Sequence, residues 1–288
     1  MTLAIVWREN GTIKALSDSR ITLSETKCFD RGIKIVTVPI SVISAADTNT
    51  GNSELMFSSA YGFIYAGSTL NAYLTKELVS DFMSNIQPIG EHSVSFDTIC
   101  QAIEHFSTHI SKELCFQTAE KGIVEFVLTG VCPDSKLIKA AKFSLSSGED
   151  GIEVNYNSVL DQDGQIEILG DGRRYVEDKI NGKPSNEYIS LIEEVIANES
   201  AKTVGGVIQY GALQDGVFKV SGRIVQKMVG STLVNEYLIR GVDLNQTYKF
   251  LHNLGIHVRY SFIQDRQIDQ CTINKAISDH YAGKSSND

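Results

Sequence analysis

The chain has little of what marks a secreted, membrane-bound or nucleic-acid-binding protein. Only 4 of its 288 residues are proline, and its 5 cysteines, Cys28, Cys100, Cys115, Cys132 and Cys271, are odd in number with no Cys-x-x-Cys spacing. Neither a disulfide framework nor a zinc site is indicated, and the thiols are expected to be buried and reduced. No apolar run approaches the roughly 20 residues that span a bilayer, and the first residues lack a basic region leading into an apolar core. The expectation is a cytoplasmic protein with no membrane partner. A basic face is missing as well: the formal net charge is -9, which argues against nucleic acid. Internal repeats, low-complexity tracts and phosphate-cradling glycine loops are absent, and no cofactor is expected. What is present, 42% hydrophobic and 21% charged residues, suits a globular protein with a real core.

The informative stretch is Met1 to Lys34. Thr2-Leu3-Ala4-Ile5-Val6-Trp7 is an apolar strand signal, Glu9-Asn10-Gly11 a hairpin turn, and Thr12 to Leu16 a returning strand that ends in Ser17-Asp18-Ser19-Arg20. At roughly 3.3 Å per residue, a turn at Asn10-Gly11 returns Asp18 to the neighbourhood of Thr2. Lys34 lies as far beyond Asp18 as Asp18 lies beyond Thr2. With a turn at Arg31-Gly32 and a strand over Ile33 to Val38, the lysine reaches the same spot.

Threonine is small enough for an aminopeptidase to remove Met1, which would leave Thr2 with a free α-amino group. Such an amine has a pKa of about 7.7–8.0, so it serves as base for its own hydroxyl near neutrality. A nearby Lys34 ammonium would lower the pKa of both groups, and Asp18 would keep the lysine charged and oriented. The same spacing also fits a plain strand residue, a turn carboxylate and a solvated lysine.

The run Thr2-Leu3-Ala4, then Gly11 to Thr22 with Asp18-Ser19-Arg20, then Lys34, resembles the amino-terminal signature of proteasome-type N-terminal-nucleophile hydrolases. The resemblance implies Thr2 as nucleophile, with Asp18 and Lys34 as its partners and Ser19 and Arg20 in support. Ala66-Gly67 resembles the family's alanine-glycine step, which implies that the Gly67 N–H donates to an oxyanion. Gly170-Asp171-Gly172 resembles its glycine-rich turn, with Asp171 standing where catalytic members usually have serine. Gly205-Gly206 resembles the later glycine pair, with Ala201 and Val204 about where a supporting aspartate and serine would fall. The resemblance covers Thr2 to Arg223, giving a domain over residues 1–225 and a C-terminal extension over 226–288.

Along the rest of the chain, 39–59 reads as a long inserted loop. Leu70, Tyr73, Leu74, Leu78 and Phe82 mark an amphipathic helix over Thr69 to Met83, and a second follows over Phe96 to Leu114. His105 and His109, four apart on that helix, are expected to be surface residues rather than metal ligands. Strand signals over Gly122 to Gly130, Lys136 to Leu145, Gly151 to Tyr156 and Gln165 to Leu169 predict a second sheet. Helices over Gly172 to Ile180 and Asn186 to Asn198 follow, then a hairpin turning at Gln214-Asp215-Gly216. The tail offers a helix over Asn245 to Leu254, an aromatic strand over Val258 to Phe262 and a polar end from Gly283 to Asp288. Its Tyr237, Tyr248, Phe250, Tyr260 and Phe262 are expected to pack on the same or a neighbouring subunit.

This order fits an α+β fold, a four-layer αββα sandwich. The function expected is threonine-type amide hydrolysis by a proteasome-like peptidase. The alternatives are an inactive scaffold of the same fold, or the same chemistry on a small amide. A homo-oligomer is expected, while ring size, the substrate and any unfoldase partner stay open.

Overall fold

The computed structural model describes residues 2–24, 26–45, 53–90, 92–148, 151–198, 201–229 and 232–264. Met1, residues 46–52, Cys271 and the polar end Gly283 to Asp288 lie outside the described residues. The chain divides into two compact units, Met1–Val220 and Ser221–Asp288.

The first unit runs β1 Ala4–Glu9, β2 Thr12–Ser17, β3 Ile21–Thr22, β4 Cys28–Phe29, β5 Ile35–Ile43, β6 Leu55–Gly67, α1 Thr69–Met83, α2 Phe96–Thr118, β7 Val124–Val131, β8 Ile138–Gly148, β9 Gly151–Val159, β10 Ile166–Leu169, α3 Arg173–Ile180, α4 Tyr188–Ala197 and β11 Gln209–Gln214. Strand β12, Val217–Val229, carries the chain onward into the second unit, which adds β13 Thr232–Ile239, β14 Val242–Asp243, α5 Leu244–Asn253 and β15 Phe262–Gln264. The fold is mixed α/β with mostly antiparallel sheets.

In the first unit one sheet has the order β5-β6-β7-β8-β9, another contains β10-β1-β2-β11, and β3-β4 form a small separate ribbon. Both faces of β1 are covered, which explains its unbroken apolar run. Leu3, Ile5 and Trp7 pack with Val176, Leu191 and Ile192 of α3 and α4, while Ala4 and Val6 pack with Ile64, Ala66 and Val127 of the other sheet. Strand β6 is built alike: Tyr61, Phe63 and Tyr65 join Ala72, Val79 and Ile103 of α1 and α2, and Ile64 and Ala66 point the opposite way.

Several expectations are corrected. Residues 39–43 and 55–59 are strand, not loop, because β5 and β6 form a long hairpin pairing Pro39 with Ala60 and Ile43 with Leu55. Pro39 fits there because β5 is an edge strand, where a missing N–H costs no ladder bond. Strand β10 belongs with β1 and not with β7 to β9. The second helix runs four residues further than expected, to Thr118.

The stripe that marks α1 as a helix faces the core only in part, through Tyr73. Leu70, Leu74 and Phe82 are exposed, and Asn71, Thr75 and Ser80 are buried in their place. The burial of polar groups is tolerable because they are satisfied: Asn71 Nδ2 donates to Ser111 Oγ at 3.0 Å and to Gly122 O at 2.7 Å, and Thr75 Oγ1 donates to Asn71 Oδ1 at 3.1 Å. Phe82 stacks on Phe106 of α2 with ring centroids 4.4 Å apart.

Cys100, Cys115 and Cys132 are buried free thiols, but Cys28 is exposed because its strand lies in a ribbon of only two. Within the second unit, β13 was not anticipated, and the strand expected at Val258 to Phe262 forms only from Phe262 to Gln264, parallel to β12. Phe262 packs edge-on against Tyr237, yet Phe250 and Tyr260 are exposed. Among the described residues no helix is long and apolar enough to cross a membrane; this says nothing of a strand-built barrel.

Candidate active site around Thr2

The hairpin that starts the site closes through Asn10 and Gly11, whose φ values of 51° and 71° fit the two-residue turn matched to strand twist. Its register pairs Ala4 with Ser17 and so sets Asp18 opposite Leu3. The Leu3 N–H donates to Asp18 Oδ1 at 3.0 Å, and the Asp18 N–H donates to Leu3 O at 3.1 Å. Thr2 is thereby held beside the carboxylate, and it is 1% exposed in the chain that carries Met1.

Asp18 is completely buried and collects three more donors. Lys34 Nζ lies 2.9 Å from Oδ1, while the N–H groups of Arg20 and Gly205 each reach Oδ2 at 3.0 Å. Both oxygens of this buried carboxylate are thereby satisfied. Lys34 is equally buried, and burial pushes its pKa below the ordinary lysine value against the opposing pull of Asp18. The lysine stands just before β5 rather than within it, which corrects the expected strand start at Ile33.

Ser19 and Arg20 brace this group. Ser19 Oγ donates to Asp30 O at 2.6 Å and accepts the Val207 N–H at 2.8 Å. Arg20 grips Asp30 through two bonds, Nε to Oδ1 at 2.6 Å and Nη2 to Oδ2 at 2.9 Å. That pairing holds the Asp30 carboxyl below its ordinary range. The glycine pair packs closely against this group, and Gly206 is the stricter of the two because it also meets the Asp30 main chain. A Cβ on Gly205 would meet the Arg20 guanidinium at 2.3 Å, and one on Gly206, where φ is +77°, would meet Ser19 Oγ at 2.3 Å.

The other glycine turn closes on the main chain of Thr2. Gly172 donates its N–H to Thr2 O at 3.1 Å. A Cβ on Gly170, where φ is +83°, would lie 2.0 Å from Thr2 O and 3.2 Å from the Ala66 side chain. The Gly170 N–H donates in turn to Glu125 Oε1 at 2.6 Å. Gly67 ends β6 at φ +99°, with Ile123 O only 2.5 Å from where a Cβ would stand. Asp171 is exposed at the tip of its turn. Ala201 and Val204 are buried with Leu3 and Leu16 and bring no polar side chain.

Thr2, Asp18, Lys34, Ser19, Arg20 and Gly170 are therefore linked by direct contacts or by one shared partner, and Gly67 adjoins that group through Ala66. Sequence reading missed Asp30, Glu125 and Gln209. Asp30 had a faint signal, a lone acid flanking the Arg31-Gly32 turn; the other two had none, since they come from distant strands. Among the described residues no cluster of three His, Cys, Asp or Glu side chains is placed to hold a metal. A cavity of about 480 Å³, lined by Trp7, Glu9, Asp163 and Tyr188 among others, sits at the hairpin end of β1, away from Thr2.

No protein-family model and no curated protein matches this chain. Solved structures do. The Anbu (Gly-1) mutant from Hyphomicrobium sp. strain MC1 aligns over 91% of this chain and 100% of its own, with 9% identity and a TM-score of 0.52. The helical assembly of the Anbu complex from Pseudomonas aeruginosa aligns over 90% of this chain and 99% of its own, with 12% identity and a TM-score of 0.50. The fold is therefore proteasome-like. At such identities the likeness carries the fold alone.

Proposed function

We propose that this chain is an amide hydrolase of the N-terminal-nucleophile type, in which loss of Met1 turns Thr2 into both nucleophile and base. The observation that carries the reading is the buried Asp18 carboxylate, which binds the Leu3 N–H and the Lys34 ammonium at once. In this reading the Thr2 hydroxyl attacks the substrate carbonyl while its α-amine takes the proton and later returns it to the leaving nitrogen. The Lys34 charge lowers the pKa of both groups, and the Gly67 N–H receives the oxyanion. Water then releases the acyl group from Thr2 Oγ.

The same proposal arranges the three apolar clusters as the fillings of a four-layer αββα sandwich. It takes residues 1–225 as the hydrolase domain and 226–288 as an extension that packs on its own or a neighbouring subunit, in a cytoplasmic homo-oligomer. The exposed Leu70, Leu74 and Phe82 on α1 support subunit contacts, and the Pseudomonas aeruginosa Anbu complex is a helical assembly. A species at the 31.7 kDa chain mass, unchanged on dilution in the ultracentrifuge, contradicts the oligomer.

Peptides are the substrate class put first. Turnover of a reporter panel of short peptides and small acyl amides, run beside an intact-mass measurement, tests the proposal. The expected result is a chain lacking Met1 that cleaves peptides faster than small amides. A homogeneous chain without Met1 that cleaves neither class contradicts it and favours the scaffold reading, for which the apolar Ala201 and Val204 speak.

A further inference from the structure

Between β4 and β5 the chain passes through Gly32, Ile33 and Lys34 outside any strand, and both Gly32 and Lys34 are buried. Backbone polar groups buried in an irregular segment need partners from elsewhere. Gln209, on β11 and only 2% exposed, supplies them. Its Nε2 donates to Gly32 O at 2.7 Å, and its Oε1 accepts the Lys34 N–H at 3.1 Å and, at a longer 3.4 Å, the Ile35 N–H. The carbonyl between those groups, Ile33 O, accepts the Tyr65 hydroxyl at 2.7 Å and the Tyr73 hydroxyl at 3.0 Å. Burial raises the Tyr65 pKa, so the phenol remains a donor. Gly32 leaves no slack, since a Cβ there would meet Ile21 Cδ1 at 2.4 Å.

We propose that Gln209 is a positioning residue for Lys34: its carboxamide fixes the main chain on both sides of the lysine, so that the ammonium meets Asp18 next to Thr2. The inference rests on the reading of Thr2, Asp18 and Lys34 as the reacting group. A carboxamide suits the task because it offers a donor and an acceptor on one rigid plane. Glutamate lacks the donor at neutral pH and methionine lacks both. Without the bonds, the segment must move to find water for Gly32 O and the Lys34 N–H, and the lysine loses its fixed reach.

The charged groups that face Lys34 are Asp18, Arg20 and Asp30, joined in the matured chain by the Thr2 amine. Gln209→Met changes none of them. The test is titration of the ¹³C-labelled lysine ε-carbons by NMR, with the Lys34 signal assigned by its loss in Lys34→Arg, together with the pH–rate profile. In the native chain Lys34 is expected to titrate below the other lysines. In Gln209→Met its midpoint is expected to move toward theirs as water reaches the ammonium. Turnover is expected to fall on the order of tenfold with KM within about twofold, as for a misplaced catalytic group. A folded Gln209→Met with an unmoved Lys34 midpoint overturns the proposal. So does a moved midpoint with an unchanged rate profile in an active enzyme. If Gln209→Met does not fold, Gln209→Asn keeps an uncharged carboxamide too short to reach both Gly32 O and the Lys34 N–H, and the same readings apply. Should the native chain be inactive, the hydrolase reading fails while the titration still decides the link between Gln209 and Lys34.

Discussion

The two flanks of Thr2 are built on different principles. On the lysine flank, Asp18, Lys34, Gly205 and the Arg20 main chain form a closed polar group, with every oxygen of the carboxylate engaged. On the glycine-turn flank, Gly170 and Gly172 approach Thr2 and Leu3 through backbone alone, Val204 packs against Gly172, the Glu125 carboxylate binds the turn from outside through the Gly170 N–H, and the turn's own carboxylate, Asp171, is exposed. Charge is fixed on the first flank by saturation of buried groups, where each loss leaves an unpaired partner. On the second, shape is fixed by the absence of side chains, so a change of exposed side chain is tolerated and an added Cβ is not.

The largest expected effect falls on the residue both flanks share. Thr2→Ala abolishes amide cleavage while melting temperature and assembly state stay near the native values, because Leu3 and Ile5 still pack the strand. Substantial turnover in purified Thr2→Ala protein would remove the nucleophile from the account.

Next comes a contrast between two ion pairs. Asp18→Asn leaves the Lys34 ammonium buried without its anion, and breaking such a pair costs about 3–5 kcal/mol. Asp30→Asn breaks a pair whose members are 23% and 44% exposed, and such pairs are worth about 1 kcal/mol or less. Denaturant unfolding of the two variants side by side checks this. Equal losses would erase the distinction between the buried flank and its partly solvated brace.

Lys34→Ala is expected to lower turnover by a factor on the order of 10² and to shift the pH–rate profile, since the amine and hydroxyl lose the charge that tunes them. Stability should respond with a definite sign. Because the folded-state pKa of Lys34 is held below the ordinary lysine value, the folded chain binds fewer protons than the unfolded chain between the two values. Stability therefore rises with pH across that window, and denaturant midpoints of Lys34→Ala should lack this rise. A rise of equal size in both proteins contradicts the buried ammonium.

The smallest effect is reserved for the open flank. Asp171→Ser removes a carboxylate from the turn next to Thr2, which should lower the amine pKa and move the acid limb of the rate profile to lower pH without changing thermal stability. An unmoved limb means that Asp171 does not face the amine.

Much of this was legible in sequence because it is local. Asn10-Gly11 dictated a turn, the turn dictated a register, and the register set Asp18 beside Leu3. The apolar run of β1 announced a strand, while the cover on both its faces shows only in the fold. The 39–59 stretch was misread because Ser, Thr and Asn obscured the alternation of Val38, Ile40 and Val42, and because Pro39 suits an edge strand whose edge position depends on the whole sheet. In α1 the helical period was plain, but periodicity does not say which face is buried. The satisfied seam from Asn71 to Ser111 decides that, and it needs a second helix. Gln209 and Glu125 carried no signal at all, since each bonds a segment far away in the chain.

The most direct test of the central claim is intact-mass and peptide mapping of the purified protein after treatment with a peptide β-lactone, an electrophile that acylates activated hydroxyls. The account predicts a chain without Met1 carrying one adduct, located on Thr2 and missing from Thr2→Ala and, at matched exposure times, from most Lys34→Ala molecules. An unmodified chain lacking Met1, or an adduct on any other residue, contradicts it.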